Sequence, residues 1–522
     1  MTGFLTHRFR KHNAEQFKEA FSEAANSNIY FFVGRTHPWD DENTPDSRDN
    51  SVGSVRFEPW HQMVYMKKIL PADVTFAARR FDWVRGTAYR QYDSNDAFLY
   101  ANTDVGFYVL EPQYYNMYKC IWNNGGANST EKPTGTSTSI ISTSDGYRWK
   151  YMYTLDSVQI NNFLTTQYIP VKTLTADDGS LQWDVQAAAA NGSIETIKIV
   201  SGGSGYLQVT GTLANVHSPA STIRIESTKS GTDNIYNDSD LYITSGTGAG
   251  QVRRIINYIG TTKTVQLNSA FSTIPTTSST YRIAPRVVVT SGSGYKNGGT
   301  HVKAICTLTS GAVANVTILT PGTKFADATV RFFANTTYGS GAVARAILSP
   351  PNGHGSNPEE ELGAYNVLLF SKLTENEDVH IPNDQDFRTV GIIRDPKLAS
   401  NTTWNATNTT ATANGYPLTV RLKLSGLSTA FDEDEEVEGQ TSGATGIVVF
   451  SNTTLTKIYA SNGTFQVSEN IIANTSSRSA NIVSIIYPQI AKYTGDIMYI
   501  ENREAIIRAV DQEEELKLTC RF

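Results

Sequence analysis

The sequence predicts a mainly β protein: β-sandwich-like base domains built from both chain ends, carrying inserted Gly-rich β-modules and one N-terminal helix. Three observations predict it. Of 522 residues only 18% are charged, while 26 are Tyr and 22 are Phe, a composition suited to pleated, half-buried surfaces and turns. Short β-branched runs broken by Gly recur through the middle of the chain. The closing segment alternates Leu516, Leu518, Cys520 and Phe522 with Glu515, Lys517, Thr519 and Arg521. A period of two is the signature of a half-buried strand. Such a strand needs a neighbour, and "FYVL" (107–110) and "RWKYMYTL" (148–155) are the expected ones.

The chain reads as five consecutive parts. The N-terminal part of the base spans 1–185. Its helix is expected from Asn13 as cap with Gln16 reaching back, and Phe17, Ala20, Phe21 and Ala24 then share one face. "IYFFVGR" opens a strand, and "FLYAN", "VGFYVL", "YKCIW" and "YRWKYMYTL" read as further strands between long polar loops. An inserted β-module follows over 186–349. There "IKIVSGGSGY", "RVVVTSGSGY" and "VTILTPGTKF" share one grammar of strand, Gly turn and aromatic, while "GAGQVRRI" and "GSGAVARAI" read as hairpin arms. Residues 350–397 return to the base texture.

A second inserted module is expected over 398–486. It opens on the low-complexity "LASNTTWNATNTTATANGY", read as an exposed loop. A tandem duplication comes next: "FDEDEEVEGQTSGATGIVV" (431–449) runs in phase with "FQVSENIIANTSSRSANIV" (465–483). Residues 487–522 complete the base.

Totals exclude several classes. A formal charge of −6 offers no basic surface to nucleic acid. No apolar run approaches the ~20 residues that span a bilayer, and the first residues lack the apolar core of a signal peptide. Cys120, Cys306 and Cys520 are isolated, which suits a reducing cytoplasm and packing roles.

A search for chemistry finds no HExxH, GxSxG or phosphate-loop pattern. "SGTGAGQ" (245–251) lacks the Lys and Ser/Thr that hold phosphate and magnesium, so it reads as a turn. No histidine has a ligand partner at metal spacing. His354 alone has carboxylates close behind it, at 359–361, and a solvated loop is the expectation there. The acidic runs 359–361, 432–436 and 513–515 read as solvated as well. No catalytic, cofactor or metal residue is assigned, and an enzyme is not expected.

Two segments carry candidate contacts. In "VGRTHPWDDEN", Gly34 frees the backbone, Arg35 follows, Pro38 stiffens the turn and Trp39 is a large rigid contact. The loop faces a partner or a second copy, or else Trp39 caps its own core. "RRFDWVRG" sets Arg79 and Arg80 beside Trp83, read as Arg–carboxylate or Arg–aromatic contacts or as a second partner-facing patch.

Four segments together, "YFFVGRTHPWDDEN" (30–43), "ILPADVTFAARRFDW" (69–83), "SDGYRWKYMYTLD" (144–156) and "GDIMYIENREAIIRAVDQEEELKLTCRF" (495–522), resemble the gene-product-eight type of baseplate wedge protein of contractile-tailed bacteriophages. "DFRTVGIIRDP" (386–396) is a fifth, weaker likeness. The likeness covers roughly 1–172, 350–397 and 487–522, and leaves out both inserted modules. It implies a non-enzymatic virion subunit of the tail baseplate, made in the host cytoplasm and free of cofactors. It also implies a homodimer held among other wedge proteins, with no nucleic acid or membrane as partner. The rival expectations are a host-glycan-binding fibre or adhesin, which Gly/Thr/Tyr-rich repeats also suit, and a glycan-cleaving tail enzyme, which needs clustered carboxylates.

Overall fold

A computed structural model describes residues 6–23, 27–101, 104–217, 220–291, 299–373, 386–400, 405–507 and 513–522. It is mainly β, with 43% of residues in strands and 10% helical. The chain forms two compact units: Met1–Ala78, Asp156–Lys172 and Ala364–Phe522 make the first, Arg79–Leu155 and Thr173–Gly363 the second. This division cuts across the expected base of 1–185, 350–397 and 487–522. Residues 79–155 build a sheet of their own, and that sheet goes with the first inserted module.

In the first unit a five-stranded antiparallel sheet runs in the order Gly415–Pro417, Met63–Lys68, Ile29–Gly34, Phe387–Arg394, Asp496–Ile506. Ile29–Gly34 sits in the middle and is buried at all six positions. Phe32 lies opposite Gly391, where a Cβ would come 2.3 Å from the Phe32 ring, so no larger residue fits. A four-stranded sheet runs Glu514–Arg521, Asn366–Leu373, Val74–Arg79, Tyr168–Val171.

The last strand therefore pairs with Asn366–Leu373, from Asn366 opposite Arg521 to Leu373 opposite Glu514, and not with 107–110 or 148–155. It is an edge strand, so Leu516, Leu518, Cys520 and Phe522 are half-buried rather than enclosed. Phe17 of the N-terminal helix reaches Phe522, with ring centres 5.4 Å apart. That helix spans His7–Ala20, and Thr6 is its cap, accepting from Phe9 N. Asn13 lies inside it, because nothing in "HRFRKH" breaks a helix once Thr6 has started one. Ala24 lies outside the described residues.

The duplicated segment closes into a six-stranded barrel in the order Val420–Ser425, Leu455–Asn462, Thr445–Ser451, Glu436–Gly439, Asn470–Ala473, Ser479–Ile486. Exchanging the two repeats reproduces this order read backwards, so the barrel has an internal two-fold. The hydrogen bonds obey it. Glu469 accepts from Ser442 N and Oγ at 2.9 and 3.0 Å and from Gln466 N. Glu435 accepts from Ser476 N and Oγ, both at 3.1 Å, and from Asp432 N. Asp434 and Ser468, one residue before each Glu, both take positive φ. Phe431, Val437, Phe465 and Ile471 are buried in one core. The barrel begins at Val420, later than the expected 398. Lys397–Ala399 and Ala406–Thr410 form a two-stranded ribbon before it, so the low-complexity stretch is not wholly a loop.

In the second unit the strands Tyr108–Glu111, Asn116–Trp122, Arg148–Thr154 and Ile141–Ser142 form an antiparallel sheet. Val185 of the helix Leu181–Ala187 packs with Tyr118, Tyr147, Trp149 and Tyr151 from this region. Residues 98–101, the described part of "FLYAN", are not a strand. The Asp96 carboxylate accepts from Phe98 N and its carbonyl from Leu99 N, which turns the chain and leaves Phe98 72% exposed. The first inserted module is a twelve-stranded sheet over two hydrophobic cores. Thr280–Thr290 belongs to both, contributing Tyr281 and Ile283 to one and Val287 and Val289 to the other. In "IKIVSGGSGY" the expected Gly turn is mostly strand, since Gly202 and Gly203 lie within Ile194–Ser204 and Gly202 pairs opposite Ala342. Pro321 and Gly322 of "VTILTPGTKF" do follow the strand Ala312–Thr320. Residues 292–298, which include the Gly run of "RVVVTSGSGY", lie outside the described residues.

Candidate functional site

The seven residues singled out in the sequence fall into two places. In the first unit the pairing of Ile29–Gly34 with Met63–Lys68 slips between Val33 and Gly34. A Cβ on Gly34 would lie 2.4 Å from Gln62 O, so glycine is required at the slip. Arg35 then takes φ 51° and turns its guanidinium over the Trp39 ring at 3.6 Å, while donating to Pro38 O at 3.1 Å. Trp39 is only 6% exposed. Its Nε1 donates to Arg503 O at 2.8 Å, and its backbone N–H to Glu42 Oε1, which also accepts from Arg388 Nε at 2.7 Å. The loop is folded onto its own unit. Of the two readings of Trp39, the geometry supports the one in which it caps that unit's core; what faces outward is His37, Pro38 and Asp40.

In the second unit Arg80 forms a two-pronged pair with Asp82, at 2.8 and 2.9 Å. Trp83 is half-buried and its Nε1 donates to Ser129 Oγ at 3.2 Å. Arg79 ends its strand, and its carbonyl accepts from Tyr108 OH. These contacts are internal, as the Arg–carboxylate reading expects; Val84, 57% exposed, faces outward with Arg85 and Gly86.

Sequence reasoning missed a buried cluster of charge. Lys119, in the middle of Asn116–Trp122, is fully buried. Its Nζ lies 2.5 Å from Glu361 Oε1 and 3.8 Å from Glu195 Oε1. Lys150 Nζ stands 2.8 Å from Glu195 Oε2. His354 faces the Tyr151 carbonyl through Nε2 and Glu361 Oε1 through Nδ1, both at 2.9 Å. Tyr151 O can only accept, so Nε2 carries a proton. Gly355 N donates to Glu361 Oε2, completing that carboxylate.

Burial alone would push both carboxyls up. For Glu195 the charges of Lys119, Lys150 and His354 outweigh it and bring the group down to about 2. Glu361, beside Lys119 and His354, is held lower still. So "NGHGSNPEEE" is no solvated loop: the short helix Pro358–Glu361 is capped by Asn357 and turns Glu361 inward. Neither carboxyl has the raised value a general acid needs at neutral pH. The cluster is an electrostatic joint between a sheet, the first strand of the inserted module and the segment that follows it. The signal was present in the sequence as a lysine between apolar residues in "MYKCIW", where a strand buried on both faces cannot solvate it.

Among the described residues no group of three or more His, Cys, Asp or Glu is placed to hold a metal ion. No helix is long and apolar enough to cross a membrane. Models of known protein families give no match to this chain, and curated proteins give none either.

Proposed function

We propose that the chain is a structural subunit of the baseplate wedge of a contractile phage tail. It binds neighbouring wedge proteins and a second copy of itself, and enters the virion after synthesis in the host cytoplasm. One observation carries the reading. The segments that resemble the wedge family are scattered over nearly the whole sequence, yet five of their strands lie in two sheets of one unit, while the sixth, Arg148–Thr154, belongs to the second unit. Ile29–Gly34, Phe387–Arg394 and Asp496–Ile506 are consecutive in the five-stranded sheet. Val74–Arg79 and Glu514–Arg521 flank Asn366–Leu373 in the other. A likeness spread at random would have no reason to gather in one framework.

The test is biochemical. Tails purified intact and then dissociated should yield this chain together with other wedge proteins, in a fixed ratio. Recovery of the chain only from detachable fibres, with binding to host glycans, would overturn the reading in favour of an adhesin.

A further inference from the structure

An open strand edge offers its N–H and C=O groups to any passing strand, and proteins blunt such edges by shortness, bulges, proline or charged side chains. Of the four edges of the two larger sheets in the first unit, three are blunted by one of the first three devices. Gly415–Pro417 has three residues, Tyr168–Val171 has four including Pro170, and Asp496–Ile506 breaks register twice against its neighbour. The fourth, Glu514–Arg521, has eight residues, no proline and an unbroken register with Asn366–Leu373, and its charged positions are the inward Glu514 and the outward Glu515, Lys517 and Arg521. No described strand pairs with its other side.

We propose that this edge pairs antiparallel with the same edge of a second copy, about a two-fold axis at Leu518. The proposal rests on the self-association included in the proposed function and assigns it a surface. Facing residues of an antiparallel pair share one side of the sheet, so only registers that keep the apolar side in phase are open. Charge then selects among them. Centred on Leu518, Leu516 faces Cys520 of the second copy, and exposed Glu515 faces exposed Arg521. Centred on Lys517 the strand sets that lysine against itself, and centred on Thr519 it sets Lys517 against Arg521. Centred on Leu516 it still pairs Glu515 with Lys517, but only five residues of the strand find a facing partner, against seven when it is centred on Leu518. Beside the edge lies a groove of about 560 Å³, in which Phe31, Tyr499, Ile506, Leu516 and Leu518 are mixed with four glutamates, Arg503 and Lys517. A second copy would cover this mixed surface.

The full-length protein should scatter light as a dimer. Facing Cα atoms of antiparallel strands stand ~4.5–5.5 Å apart, within the span of a disulfide. Leu516→Cys under a copper oxidant should therefore give a covalent dimer through the native Cys520; Cys120 and Cys306 are buried. Adding Cys520→Ser should abolish it. Leu518→Lys sets two ammonium groups together at the axis and should give a monomer that melts as the parent does. A monomeric parent, a covalent dimer that survives Cys520→Ser, or an intact dimer in Leu518→Lys overturns the proposal. A monomer that still enters tails would sink the edge pairing and leave the wedge reading standing, whereas a dimer absent from tails would do the reverse.

Discussion

Glu361, Glu435 and Glu514 each stand in an acidic run, and each is buried, at 2%, 6% and 6% exposure. A run of like charge reads as solvated because most of its members are. Which member turns inward depends on a partner far away in sequence, such as Lys119 for Glu361 or Ser476 for Glu435. Lys119→Met would leave Glu361 and Glu195 short of their shared cation, and breaking a buried pair in this way costs about 3–5 kcal/mol. Denaturant titration of the full chain should show the loss in one transition, and an unchanged curve would refute the cluster's weight. Titration gives a second check. A carboxyl held below its unfolded value stabilises the fold above that value and loses the contribution as pH falls. For Glu195 the window runs from the ordinary 4.5 down to about 2. Asp240 behaves oppositely: burial raises it to about 7, against the pull of Arg286 and Arg254. Its favourable contribution is full below the ordinary 3.8 and fades as pH rises to about 7. Glu195→Gln should flatten the acid limb of a melting-temperature profile, and Asp240→Asn the limb near neutrality.

At the scale of elements, the barrel shows what a repeat in sequence can and cannot say. The phase of the duplication, Phe431 with Phe465 and Val437 with Ile471, was legible because identical positions face one core. The interleaving of the two copies around a closed barrel was not, since alternation fixes which side a strand presents and not which strand lies beside it. The internal two-fold makes paired predictions. Ser442→Ala and Ser476→Ala each strip one hydroxyl from a buried carboxylate, and should cost nearly the same, about 1–3 kcal/mol. The outer faces have diverged. Val449 is fully buried with Val33, Tyr65 and Phe387, whereas its counterpart Val483 is 55% exposed. Val449→Asp should therefore lower the melting temperature sharply and Val483→Asp hardly at all; equal effects would mean the two faces are used alike. The helix cap and "FLYAN" were misread for a related reason. Thr6 and Asp96 decide those segments through single side-chain hydrogen bonds that periodicity does not register.

For the whole molecule, the fold class and the modular texture were legible in composition and Gly punctuation. The grouping of the segments was not. Similar aromatic strands supply both units, and sequence texture does not reveal that 79–155 leaves the sheets of its flanks. The barrel, with its own core, should fold alone: residues 420–487 should melt cooperatively with a β-type circular dichroism spectrum, and a random-coil spectrum would refute its independence. The first inserted module is differently placed. Glu195 finds its lysines, and Arg345 finds Asp93, outside the module, so 186–349 by itself should be less stable than within the chain.

The interleaving also orders events in time. All strands of the second unit have been made by residue 363. The central strand Ile29–Gly34 of the first must wait for Phe387–Arg394 before it has both neighbours. At synthesis rates of ~5–20 residues per second, that wait is on the order of twenty seconds to a minute. During it, one of the most apolar strands in the protein hangs from the ribosome half-paired. The nascent chain, more than the finished protein, is the species that has to be shielded.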